Sequence, residues 1–196
     1  MRYDPSVRVR HDEPGSRRAL LARRFHYGTS AGPLARRHPR RLAPVRLSWP
    51  AFGALLLVLR GRPLAALAVY AATSARLYAI LRRRGMPWTT APQLMAGAFW
   101  YSATGTARAV NSHLPGLLIA VALRRRRPLL AAFALAPAVL EWRARRPQAG
   151  LVRWVLSSLA DDAAYGAGVW TGAIRARTPR PLMPRFNRLM SPGQPD

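Results

Sequence analysis

Two aspartates stand side by side at Asp161 and Asp162, in a chain of 196 residues with only 7 acids against 32 bases. Adjacent carboxylates can divide acid and base work, one holding a proton while the other stays ionised. They can equally pair with nearby arginines or cap a break in a helix, and the residues alone leave both readings open. A second concentration of chemistry lies in SRRALLARRFHYG (16–28), crowded by Arg17, Arg18, Arg23, Arg24 and His26. Arg23, Arg24, His26 and the adjacent Tyr27 could grip a diphosphate or an acceptor through charge-assisted hydrogen bonds. A solvated basic face suits the same spacing equally well. His11 ends the alternating stretch SVRVRH (6–11), sharing a face with Val7 and Val9 while Arg8 and Arg10 take the other. By spacing alone such a histidine reads first as a core residue hydrogen-bonded to backbone. The chain has no cysteine, which excludes disulfides, thiolate metal sites and a thiol nucleophile.

Each of these groups needs an element to hold it. The alternation over 7–11 predicts a short strand, and a strand needs a partner for its backbone groups, yet no other convincing strand follows. Ser16 as N-cap, the apolar Leu20, Leu21 and Phe25, and Gly28 at the position after the last turn predict one helix over 16–28. The aspartate pair falls within LVRWVLSSLADDAAYGAGVWTGAIRARTP (151–179), where Leu151, Val155, Leu159, Ala163, Gly166, Trp170 and Ile174 form one stripe of an amphipathic helix. Small residues around the pair allow close helix packing. Beyond Pro179 the Pro-rich basic stretch RPLMPRFNRLMSPGQPD reads as a mobile surface tail.

Between these ends, arginine clusters alternate with Ala/Leu-rich runs that read as helices. The clusters are Arg36–Arg46, Arg60 with Arg62, Arg82–Arg84, Arg124–Arg127 and Arg143–Arg146. The run 47–59 is about 20 Å long at 1.5 Å per residue, short of a hydrocarbon core about 30 Å thick. The run 63–81 has the length for one span but contains Arg76, and 85–123 carries a single charge, Arg108, near its middle. With every cluster on the cytoplasmic side, 85–123 alone crosses and returns, SATGTARAVNS serving as its polar turn, and the shorter runs lie in the interface or enter as hairpins. A soluble bundle with an arginine-covered face is the competing reading, less favoured because long stretches are apolar all round. No continuous apolar run precedes residue 47, which argues against a cleaved secretory signal and places the chain at the cytoplasmic side of the cell membrane.

A formal net charge of +25 also permits nucleic-acid binding. The aromatic residues, however, sit mostly in apolar runs and no recognition motif is present, so nucleic acid is not an expected partner. All 32 basic residues are arginine, a one-sidedness that surface charge alone does not require.

RYDPSVRVRH with LLARRFHYGTSAGPLARRHPRRLAP resembles the closing segment of family 2, GT-A type glycosyltransferases, and most closely those of the mycofactocin system. DDAAYGAGVWTGAIRARTPRPLMPR is similar to the end of the same family's chains. The resemblance implies a mainly α chain: a remnant of a GT-A α/β domain over 1–46, whose sheet supplies the strand's partners, then membrane-associated helices over 47–146. An amphipathic helix region at 147–178 and the basic tail at 179–196 complete it. It further implies a nucleotide sugar as donor and a divalent metal, Mn or Mg, in the complete enzyme. The acceptor it implies is mycofactocin or its peptide precursor. The family's late metal-binding histidine corresponds by position to His11, and neutral imidazole suits Mn²⁺ beside carboxylates and phosphate oxygens. The family's Asp-x-Asp and Glu-Asp motifs, for metal and for catalytic base, are missing from this sequence. The implied partner is therefore a GT-A domain placed upstream or on a separate chain, and the chain alone is expected to be inactive. A helical membrane anchor or scaffold without chemistry of its own is the alternative.

Overall fold

The computed structural model of the chain describes residues 15–39, 42–125 and 127–187. The strand expected at 7–11, and His11 with it, lie outside these residues, as does the end of the tail from 188. The helices are α1 (Arg17–Thr29), α2 (Ala31–Arg37), α3 (Trp49–Leu59), α4 (Pro63–Leu81), α5 (Thr90–His113), α6 (Leu117–Arg124), α7 (Pro128–Arg145) and α8 (Leu151–Arg175). Two three-residue strands, β1 (Arg46–Ser48) and β2 (Arg185–Asn187), pair in parallel with Leu47 opposite Phe186.

Local chemistry sets most boundaries. Ser16 caps α1, its hydroxyl accepting from the Ala19 amide at 3.2 Å, and Ser48 caps α3 through the Ala51 amide. Proline begins α4 and α7, where its missing N–H costs nothing. Gly28 does not end α1 as the sequence suggested. It lies inside the helix, buried against α8, because Gly28 and Gly32 on the N-terminal side meet Gly168 and Gly172 on α8 backbone to backbone. A Cβ added at Gly28 would stand 2.8 Å from the Val169 nitrogen and 2.9 Å from the Gly168 Cα. Only glycine permits this approach.

The expected two-span hairpin over 85–123 is not what forms. SATGTARAVNS continues α5 without a break, its small residues packing inward: Ser102, Ala107, Asn111 and Ser112 are buried, and Asn111 donates to the Ala134 carbonyl of α7 at 2.8 Å. The turn comes later, at Gly116, whose φ of 75° reverses the chain into α6. Among the described residues, the helix long and apolar enough to cross a membrane is instead the continuous Pro63–Arg84. It pairs with α3 and, through Leu77, Ala91 and Met95, with α5. The Tyr70 hydroxyl donates to the Pro92 carbonyl and its ring meets Phe99 edge-on.

The tail folds back further than its composition indicated. Arg180–Leu182 form a 3₁₀ turn with Pro181 buried, and the Arg185 amide donates to the Val45 carbonyl at 3.0 Å. Phe186 stacks on Trp49 with ring centroids 4.0 Å apart. Of the stripe expected on α8, Gly166 is buried but Leu151, Trp170 and Ile174 are exposed, and the buried face runs instead through Gly168, Val169, Gly172 and Ala173. Throughout, the buried apolar residues are mainly alanines, while Leu64, Trp88, Trp100, Leu123 and Val152 face outward.

Candidate functional site

Glu141, Asp161 and Asp162 are the acids among the described residues, and all three converge where α1, α5, α7 and α8 meet. The Asp161 carboxylate pairs with the Arg24 guanidinium at 2.7 Å, joining α8 to α1. The same guanidinium lies over the Tyr165 ring, 5.2 Å from its centroid, which adds a cation–π contact one helical turn along α8. Glu141 of α7 accepts from Arg108 of α5 at 2.9 Å and pairs with Arg145 at 2.8 Å. Asp162 points the other way from Asp161, toward α5, where it meets Ser112 and the field of Arg108. Burial raises its pKa from 3.8 to about 6, Asp161 adds to that, and Arg108, Arg24 and the Ser112 hydrogen bond pull against it. A carboxyl of this kind changes between donor and acceptor near neutral pH.

Beside this junction is a cavity of about 180 Å³ lined by Ala31, Pro44, Arg108, Ser112, His113 and Tyr165, among others. His113 closes one side, its ring nitrogens facing the carbonyls of Ala109 at 2.9 Å and Pro181 at 3.3 Å. Its own carbonyl accepts from the Trp170 indole at 2.8 Å. The structure thus brings Arg24 to the aspartate pair and splits that pair between two helices. Arg23 is half-buried on α1, while the side chains of His26 and Tyr27 are exposed on its outer surface. The sequence marks Arg108 only as the charge of an expected polar turn, and it gives Ser112, His113, Glu141 and Tyr165 no role. The lone base of one apolar run and the lone acid of the 47–146 region were the available signal for Arg108 and Glu141.

Among the described residues no group of three His, Cys, Asp or Glu side chains comes together to hold a metal ion. The described residues do not fit the divalent ion that the resemblance implies.

Over 198 aligned positions, covering 95% of this chain, the sequence is 32% identical to the pre-mycofactocin glycosyltransferase of Mycobacterium tuberculosis, in two strains. The chain spans 42% of the length of those relatives, consistent with a C-terminal portion of such a protein. No family model and no solved structure matches the chain.

Proposed function

We propose that this chain is the C-terminal portion of a membrane-associated family 2 glycosyltransferase that moves a hexose from a nucleotide sugar to the mycofactocin precursor. The observation that carries the reading is identity of 32% extending over 95% of the chain, rather than over a short motif. In the reaction, an acceptor hydroxyl attacks the anomeric carbon, the bond to the diphosphate breaks, and a base takes the hydroxyl proton. The Asp-x-Asp and Glu-Asp groups for donor and base come from a GT-A domain outside these residues. What this chain contributes is a helical platform at the cytoplasmic side of the membrane, in which the Arg24–Asp161 pair joins α1 to α8. His26 and Tyr27 offer exposed polar groups to diphosphate or acceptor, whereas Arg24 is occupied by Asp161. One observation favours an anchor or scaffold without chemistry of its own: each described carboxylate faces an arginine.

The test fuses the upstream part of the relative in frame before Arg2. The unfused chain should lack glycosyl transfer and the fusion should restore it. In the fusion, His11→Ala should lower turnover about 10- to 100-fold, the range typical of changes around a metal site, and should weaken the dependence on Mn²⁺. His38→Ala, at the end of α2, should do neither. Transfer by the unfused chain, or an unchanged metal response in the His11→Ala fusion, would show that the family's metal site is placed on the wrong residue, and a fusion without transfer would sink the assignment.

A further inference from the structure

One local pattern occurs twice. Leu59-Arg60-Gly61-Arg62-Pro63-Leu64 and Leu123-Arg124-Arg125-Arg126-Arg127-Pro128-Leu129 each join a short apolar helix to a longer one that begins at proline. The first joins α3 of 11 residues to α4 of 19, the second α6 of 8 to α7 of 18, and within each pair the helices pack together. At both tips the residues are exposed: Arg60, Arg62, Arg124, Arg125 and Arg127, with Leu64 at 81% and Leu123 at 74%.

The lengths decide how the first hairpin meets a bilayer. If α4 stood upright across about 30 Å of hydrocarbon, α3 beside it would reach only about 16 Å, roughly half way. Its other end runs straight into β1, whose Arg46 pairs in register with Arg185. A two-stranded sheet with open edges and two arginines would then sit at mid-bilayer, where unsatisfied backbone groups and charges are both costly. Arg76, inside α4, adds to that penalty. Yet only 17% of the apolar window of α4 is buried in the protein, so the helix needs an apolar environment from elsewhere. Lying along one leaflet satisfies both conditions. No acid occurs from residue 42 to 125, so the arginines of Arg60–Arg62 and Arg82–Arg84 meet no carboxylate on their own helices. The complementary surface is an anionic one.

We infer that α4 does not cross the membrane: the α3–α4 hairpin lies within one leaflet, and the two arginine tips dock on anionic phospholipid headgroups while Leu64 and Leu123 enter the acyl boundary. The inference rests on the membrane association proposed above and specifies its geometry.

The full chain, free of cysteine, suits the test. Floated with vesicles of equal parts phosphatidylglycerol and phosphatidylcholine, it should bind; with phosphatidylcholine alone it should bind much less. The exposed-site variant Arg60→Ser/Arg62→Ser should bind the mixed vesicles about 30-fold more weakly, from about 1 kcal/mol per arginine near a charged surface. Circular dichroism of that variant should match the parent. Single cysteines at 62 and 83, in the bound chain, should both react with an impermeant maleimide added outside. Protection of one until the vesicles are lysed would overturn the one-leaflet geometry while leaving membrane association standing. Equal affinity for both vesicle types, or preferential capture by single-stranded RNA, would overturn the headgroup docking. Binding to neither vesicle would overturn this inference and the membrane association together, without touching the glycosyltransferase assignment, which the fusion tests.

Discussion

Replacing Gly168 by alanine sets two effects against each other. Alanine is the better helix former by about 1 kcal/mol, so an exposed helical glycine gains stability on this change. At 168, however, the new Cβ would stand 2.9 Å from the Gly28 Cα and press on the Phe25 carbonyl. Both are backbone atoms of a packed helix and no rotamer change relieves them, which puts the cost at the upper end of overpacking, about 3 kcal/mol. The net expectation is a loss of about 2 kcal/mol, which in a domain of this size lowers the melting temperature by about 4–8 °C. Gly53→Ala in α3 and Gly97→Ala in α5 are the controls, since neither added Cβ meets anything within 4 Å. They should gain up to about 1 kcal/mol and melt about 2–4 °C higher. Thermal unfolding in mild detergent, followed by circular dichroism, separates the cases. If Gly168→Ala melts higher, as the controls should, the close crossing of α1 and α8 is not what glycine is there for.

Asp162 gives a pH dependence of definite sign. Its folded-state pKa of about 6 lies above the ordinary 3.8, so the native chain binds the extra proton, and this group's contribution to stability falls as pH rises from 3.8 through 6. Asp162→Asn should therefore melt increasingly above the parent across that window, with the difference constant beyond it; a difference independent of pH would refute the burial argument. Phe186→Ala removes the stack on Trp49 and the edge contact with Phe52, about 0.5–1.5 kcal/mol beyond the area lost. Hydrogen exchange at the Arg185 amide should speed up while α8 amides stay protected, and unchanged exchange at Arg185 would show that β2 is held by something else.

What was legible in the sequence was whatever depends on neighbours along the chain. Ser16, Pro63 and Pro128 mark helix starts by local chemistry, and they do so in the structure. Gly28 is ambiguous in the sequence because a glycine near a helix end and a glycine in a helix crossing look alike one at a time. Taken four apart, Gly28 with Gly32 and Gly168 with Gly172 are two small-residue spacings that fit each other, and that pairing was the missed signal. Arg108 misleads for a related reason. A charge in an apolar run suggests a turn, but here Glu141 of a distant helix neutralises it inside α5. The strands escaped notice because three residues each show no period, and their pairing joins segments far apart in the chain. Of the aspartates, the arginine pairing of Asp161 was foreseeable from composition; the burial of Asp162 needed the helix rotation, which the wrong stripe concealed.

The meeting of α1 with α8, and of β1 with β2, has a consequence in time. The partners of α1 are made only after α2 to α7, so α1 leaves the ribosome with its glycine face uncovered and waits through the synthesis of everything between. The α3–α4 and α6–α7 hairpins emerge during that wait and can pack before α1 meets α8. Contacts of such long sequence separation form late and slowly. The α1–α8 contact therefore acts as a clasp fastened after the helices between are in place, and a chain cut at the Gly116 turn would yield two pieces that still hold each other through α1 and α8.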